Sequence, residues 1–184
     1  MLNVGHRHPK VIEAVKAQID CFTHTSFQVM AYEPYLQLAE ALNALAPIEG
    51  PARTILLNSG SEAVEAAIKI ARMPTGRSPV IAFSGAFHGR TLMATTLTDK
   101  VANYKRGFGP MVPDVYHIPF PAPDAGLSVA DVERSIALLT NASVAPERVA
   151  AIIIEPIQGE DGFNPAPPEL LSVLRAFVTA RAYC

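Results

Sequence analysis

Apolar residues recur at helical spacing along five stretches of the chain, and four short apolar runs without that period lie between them. Pro9 to about Asp20 is expected to be a helix with Val11, Ile12, Val15 and Ile19 facing inward. Pro34 to Ala46 is a second, with Leu38, Leu42 and Leu45 on one face. Thr54 to Leu57 reads as a buried strand, and a helix follows with Val64, Ala67, Ile68 and Ala71 on one side, ended by Pro74. Pro79–Phe83 and Asp114–Ile118 read as the second and third strands. Ser128 to Thr140 is a helix striped by Val129, Val132, Ile136 and Leu139. Val149–Ile154 is a fourth strand, apolar throughout and so expected to be buried on both faces. Pro168 to about Ala180 closes the pattern, with Leu170, Leu171, Leu174, Phe177 and Val178. Alternation of this kind predicts an α/β domain with a mainly parallel sheet and flanking helices.

The passage from the first strand to its helix has chemical content. Asn58-Ser59-Gly60 breaks the strand, and Ser59 and Glu62 stand at capping-box spacing. A helix start presents free backbone N–H groups and the positive end of its dipole, which suits an anion such as phosphate. Gly60 lets a ligand approach the backbone, and the Ser61 hydroxyl adds a donor. An ordinary capped helix with no ligand is the alternative. The run is neither G-x-G-x-x-G nor G-x-x-x-x-G-K-[ST], so dinucleotide and P-loop readings gain nothing.

Composition narrows the classes. The 184 residues are 49% hydrophobic and 17% charged, with a formal net charge of -2, a length that suits one globular domain. Without a basic excess, nucleic acid is not an expected partner. No apolar run nears the roughly 20 residues of a membrane span, and the polar N-terminus has no leader-like run. Cys21 and Cys184 have neither framework nor metal spacing, so a cytoplasmic setting is expected. His6 and His8 lack further ligands, so no metal is expected. Pro119-Phe120-Pro121-Ala122-Pro123 reads as a surface loop.

Ligands of open parallel sheets gather at the carboxyl ends of the strands. The second strand ends in Ser84-Gly85-Ala86-Phe87-His88-Gly89-Arg90-Thr91, which offers a ring, an imidazole and a guanidinium within four residues. A ring can stack on a flat ligand, and arginine can hold a carboxylate with two parallel hydrogen bonds. Core packing for Phe87 and a surface ion pair for Arg90 are the alternatives. The fourth strand ends in Glu155-Pro156-Ile157-Gln158-Gly159-Glu160-Asp161-Gly162-Phe163.

Taken together, Gly5-His6-Arg7-His8-Pro9, Asn58-Ser59-Gly60-Ser61-Glu62-Ala63, Gly85-Ala86-Phe87-His88-Gly89-Arg90-Thr91 and Ile154-Glu155-Pro156-Ile157-Gln158-Gly159-Glu160 resemble the class III aminotransferases, pyridoxal-phosphate enzymes of fold type I. Thr23-His24-Thr25-Ser26-Phe27-Gln28-Val29 narrows the likeness to the 4-aminobutyrate aminotransferases within that family. The resemblance implies an N-terminal helical segment over residues 1–50 and the first part of a cofactor-binding large domain over 51–184. It implies transamination of an ω-amino acid, 4-aminobutyrate first, with ornithine or acetylornithine as alternatives and 2-oxoglutarate as acceptor. It also implies a homodimer. Gly60 and Ser61 match the positions that hold the cofactor phosphate. Phe87 matches the ring stacked on the pyridine, where many relatives carry Tyr, and His88 supports it. Arg90 matches the residue that binds a substrate carboxylate, and Gln28 lies in a segment lining the substrate site. Glu160 matches a carboxylate that pairs with an arginine from a later part of the family's chain and moves aside for a second carboxylate.

The chain also departs from the family. Its five lysines are Lys10, Lys16, Lys69, Lys100 and Lys105, and none stands in the family's Schiff-base lysine motif. Lys69 is eight residues past Ser61, about 12 Å along a helix and away from the phosphate end. The Asp-Glu strand that supplies the pyridine partner is absent, and so is the small domain. The expectation is the front part of a longer enzyme, with no catalytic residue of its own, or else an inactive remnant that binds anions weakly. From Val178 to Cys184 the family pattern is lost, as a single-base slip in the coding frame would produce; an arbitrary cut is the alternative.

Overall fold

A computed structural model describes residues 3–180, so Arg181–Cys184, the last four of the seven residues on which the frame-slip expectation rests, lie outside the described residues. The chain divides into two compact units, Met1–Leu56 and Leu57–Cys184.

The first unit holds helices α1 (Pro9–Cys21) and α2 (Glu33–Leu45), each with proline in its first turn, where the missing N–H costs nothing. Neither buries a residue. Val11, Val15 and Ile19 on α1 and Leu38, Leu42 and Leu45 on α2 are exposed, which corrects the expected inward faces: the periodicity made helices, but no apolar element of this unit covers them. Four rings organise the connection instead. Phe27 stacks on Tyr35 with centroids 3.8 Å apart, and Tyr32 meets Phe22, Phe27 and Tyr35 edge-on. Residues 54–57 are not a strand. They run past α2, where the Leu56 N–H donates to the Tyr35 hydroxyl at 3.1 Å and the Thr54 hydroxyl bonds Asn43 at 2.8 Å. A strand needs a neighbour to pair with, and none lies beside this run among the described residues.

The second unit has three layers. Strands β1 (Val80–Phe83), β2 (Val115–Ile118) and β3 (Ala151–Ile152) form a parallel sheet in the order β2-β1-β3. All four residues of the central strand are buried. Its alternation sends Ile81 and Phe83 to one face, with Ile118, Phe120, Val132, Ile136, Leu170 and Leu174, and sends Val80 and Ala82 to the other, with Ile68, Met93 and Leu97. Helices α5 (Val129–Ala142) and α6 (Pro168–Thr179) supply the first layer. Helices α3 (Gly60–Thr75) and α4 (Leu92–Leu97) supply the second. Among the described residues, no helix is long and apolar enough to cross a membrane.

Several boundaries differ from expectation. Pro74 lies inside α3, which ends only at Gly76 with φ 63°, because the last turn can lose one N–H and the left-handed glycine caps it. β3 is two residues long and half-buried where six doubly buried residues were expected; among the described residues it is paired on one side, with β1. The proline-dense run is not a surface loop: Phe120 and Pro121 are buried, with Phe120 edge-on to Phe83 at 6.0 Å. The short helix α4, a π-helical turn at Val101–Lys105 and an antiparallel pair, β4 (Ile157–Gln158) with β5 (Asn164–Pro165), were not foreseen.

Candidate functional site

The start of α3 forms as its sequence requires. Ser59 is extended and its hydroxyl accepts the Glu62 N–H at 3.2 Å. The return bond is displaced by one residue, since Glu62 accepts from the Asn58 N–H at 2.8 Å rather than from Ser59. Gly60 and Ser61 open the helix. Their N–H groups have no hydrogen-bond partner among the described residues, and a Cβ placed on Gly60 meets nothing within 4 Å. The helix start therefore faces open space.

The loop leaving β1 runs directly beside it. Gly89 has φ 123°, and a Cβ there would stand 2.9 Å from the Ser61 Cβ. Only glycine allows this approach without strain. The contact sets the next peptide so that the Arg90 N–H donates to the Ser61 hydroxyl at 3.3 Å. Gly85, with φ 76°, is likewise tight, since a Cβ would lie 2.8 Å from an Asp161 carboxylate oxygen.

Four side chains fix the rest of the loop and the start of α4. The Phe87 N–H donates to Glu155 at 2.9 Å, the His88 N–H to the Thr98 hydroxyl at 2.9 Å, and the Met93 N–H to Glu65 at 3.0 Å. Buried Gln158 donates to the Ser84 carbonyl at 2.8 Å. A loop with its backbone groups held this way presents its side chains in a set geometry. Arg90 is exposed and lines a cavity of about 590 Å³ with Leu92, Thr95, Asn103, Tyr104, Phe108 and Met111.

His88 is buried, and its Nε2 has no hydrogen-bond partner among the described residues. Burial, and secondarily the nearby His117, lower its pKa to about 4, so the imidazole is neutral at physiological pH. Glu160 lies in the turn between β4 and β5. It accepts the Tyr104 hydroxyl at 2.5 Å, and the Tyr104 ring lies 5.1 Å from that of Phe87.

Of the residues singled out in the sequence, the structure brings Gly60, Ser61 and Arg90 to one corner of the second unit. Phe87 and Glu160 meet through Tyr104. Gln28 belongs to the first unit, in a turn where the Val29 N–H bonds the Ser26 carbonyl at 2.8 Å. Reading the sequence missed Tyr104, Thr98 and Glu65, which lie outside the glycine-rich runs. Glu155 stood inside a quoted run, but no spacing tied it to Phe87, 68 positions away.

Comparison with known proteins bears on this site. The profile of the family Aminotransferase class-III matches residues 1–182. The chain is 50% identical over 176 residues to the 4-aminobutyrate aminotransferase of Escherichia coli, covering 96% of this chain and 41% of that protein. It is 49% identical, with the same coverage, to the 5-aminovalerate aminotransferase of Pseudomonas putida. The chain thus spans about two-fifths of the length of these relatives. Among solved structures, a thermostable ω-transaminase from Thermomicrobium roseum superposes with a TM-score of 0.82 at 29% identity, over 98% of this chain and 43% of that one. An ω-transaminase from Pseudomonas jessenii, solved in complex with PMP, matches in fold with a TM-score of 0.80 at 24% identity, over 95% and 41%.

Proposed function

The chain belongs to the class III aminotransferases, and from that premise we propose that it supplies the phosphate-holding and carboxylate-holding face of an enzyme that moves an amino group from an ω-amino acid to an oxo acid. The amino donor is 4-aminobutyrate or its one-carbon-longer homologue 5-aminovalerate, the acceptor is 2-oxoglutarate, and the working enzyme is a homodimer. Residues 51–184 then correspond to the first part of the cofactor-binding domain and 1–50 to the helical segment before it.

The observation that supports this reading most is the junction of the β1 loop with α3, where the Arg90 N–H rests on Ser61. It sets an open helix start, suited to a phosphate, beside the backbone of an arginine whose guanidinium is suited to a carboxylate. The residues present fit pyridoxal phosphate at that end: two unpartnered N–H groups, a hydroxyl and free space in front of Gly60. Bound there, pyridoxal phosphate supplies an electron sink for charge developing on the amino-bearing carbon. Gly60 and Ser61 hold the phosphate, with Ser61 free to donate its proton while its lone pair keeps Arg90 in place. Phe87 offers its ring, and the Glu155 carboxylate keeps that residue's backbone still. His88, uncharged, backs the loop without placing a competing cation in the site. Arg90 binds and orients the substrate carboxylate.

Proton transfer and covalent attachment need a lysine that these residues do not offer. The Lys100 ammonium is engaged with Asp161 at 3.2 Å, Lys105 with the Thr96 carbonyl at 3.0 Å, and Lys69 is exposed further along α3. The 184-residue chain by itself is therefore expected to form no glutamate from 4-aminobutyrate and 2-oxoglutarate beyond what free pyridoxal phosphate does.

Binding tests the proposal directly. Pyridoxine 5′-phosphate, which has no aldehyde, should bind the chain more tightly than pyridoxine by equilibrium dialysis. Gly60→Asp, which puts a carboxylate into the open space, should remove the difference. Equal affinity for the two ligands in the unsubstituted chain would refute the phosphate site. Arg90→Lys should weaken 4-aminobutyrate binding by one to two powers of ten, about 1–3 kcal/mol for a charge-assisted bond.

A further inference from the structure

Glu65 lies on α3 one turn after Ser61, and the two residues take successive grips on the chain that leaves β1. The Ser61 hydroxyl accepts the Arg90 N–H at 3.3 Å, and the Glu65 carboxylate accepts the Met93 N–H at 3.0 Å. Positions four apart share one face of a helix, about 6 Å along its axis. One face of α3 thus holds the chain at two points, on either side of Thr91 and Leu92. Met93 is in the first turn of α4, where no carbonyl of that helix can reach its N–H. Thr91 stands at the N-cap and is of a type that caps helices, yet its side chain makes no cap bond. A cap from Thr91 would secure α4 alone, whereas the bond from Glu65 also ties α4 to α3. Other groups fix the far end of α4. The Thr98 hydroxyl donates to the Ala94 carbonyl at 2.9 Å, and Lys105 donates to the Thr96 carbonyl at 3.0 Å.

We propose that Glu65 is a positioning residue for Arg90, which sets where the carboxylate site stands relative to the phosphate site at the start of α3. The inference rests on the proposed function, since it takes Arg90 as the carboxylate site and Gly60 with Ser61 as the phosphate site. At 3.3 Å the Arg90 bond to Ser61 is long for an N–H to oxygen contact, so by itself it is a weak restraint. The shorter bond at Met93 closes the second point three residues on. With both made, the Arg90 backbone has one place relative to the free N–H groups of Gly60 and Ser61. Without Glu65, that place depends on the Ser61 contact alone. A site that takes one ligand at two ends needs its groups held to within about 0.5 Å. A ligand with a phosphate at one end and a carboxylate at the other therefore registers the loss of Glu65. A ligand held by its phosphate alone does not.

Two compounds that differ only by a carboxylate test this on the 184-residue chain. N-phosphopyridoxyl-4-aminobutyrate carries both ends, and N-phosphopyridoxyl-propylamine lacks the carboxylate. By equilibrium dialysis the first should bind about tenfold more tightly, as a charge-assisted hydrogen bond allows. Glu65→Ala should shrink that ratio by at least about threefold while the affinity of the propylamine compound stays within about twofold. Glu65→Gln keeps an oxygen for the Met93 N–H and should retain most of the ratio. Amide hydrogen exchange at Met93 should be slow in the unsubstituted chain and in Glu65→Gln, and faster in Glu65→Ala. If Glu65→Ala fails to fold, Glu65→Asp, which draws the carboxylate back by one methylene, takes its place with the same expected losses. A ratio unmoved by the shortened side chain, an equal fall for both compounds, a loss in Glu65→Gln as deep as in Glu65→Ala, or a Met93 amide that exchanges alike in all variants would overturn the proposal. Arg90→Ala separates the two readings. If it leaves the ratio unchanged, the carboxylate assignment of Arg90 fails and takes this inference with it; if it abolishes the ratio while Glu65→Ala does not lower it, only the role of Glu65 fails.

Discussion

None of the described residues of Met1–Leu56 is buried, whereas the second unit has a central strand with no exposed residue and a packed layer on each side of it. Both regions contain amphipathic helices with clear apolar stripes. In α5 and α6 the stripe ends on Val132, Ile136, Leu170 and Leu174, covered by β1 and β2. In α1 and α2 the stripe is exposed. An apolar stripe states which face gains from burial, at roughly 25 cal/mol for each Å² removed from water. It does not state what will cover that face. Helix and burial are separate outcomes, and the first unit shows the former without the latter.

Stability measurements on single substitutions break or sharpen this contrast. The largest effect is expected at the sheet. Phe83→Ala opens a cavity between β1 and Phe120, and should cost about 3–5 kcal/mol by urea unfolding. A loss under about 1 kcal/mol would mean that the second unit is no better packed than the first.

His88 gives the next effect, through pH. Its folded-state pKa of about 4 lies below the unfolded value of 6.5, because burial disfavours the cation. Between those values the unfolded chain binds the extra proton. The contribution is complete above pH 6.5 and is lost as pH falls toward 4, on the order of 3 kcal/mol in all. His88→Gln should flatten that slope, as read from urea midpoints at a series of pH values.

Gly89→Ala tests the closeness of the loop to α3. With φ 123° and Ser61 against the added methyl, the substitution should cost about 1–3 kcal/mol. Gly60→Ala, where the space is open, should change stability by no more than about 1 kcal/mol. Thermal unfolding of the two variants side by side decides whether the corner is as tight as its geometry.

The smallest effects separate the helices. Ser128→Ala removes the capping box that α5 makes with Asp131 and should cost about 1 kcal/mol. Val15→Ala, on the exposed face of α1, should stay within about 0.5 kcal/mol. A Val15 effect as large as that of Ser128 would show that the α1 stripe is covered in solution.

Much of this molecule follows from local rules read along the chain. Pro9, Pro34 and Pro168 start helices because their ring presets φ and their missing N–H is one no helix needs there. Val80–Phe83 forms the central strand because its side chains are apolar on both faces. Ser59-Gly60-Ser61 opens α3 because serine caps and glycine admits a ligand, and the glycines of the next loop marked where the backbone must come close. Tertiary structure decided the rest. Thr54–Leu57 has the composition of a strand and is not one, since pairing depends on a neighbour that lies elsewhere in the sequence or not at all. Phe120 is buried inside a proline-rich run because Phe83 stands opposite it. Glu155 and Phe87, or Tyr104 and Glu160, are joined across 68 and 56 positions by bonds that no period or spacing encodes. Local sequence sets the conformations a segment prefers, but a hydrogen bond between distant residues exists only after the sheet has folded and brought its strand ends to one edge.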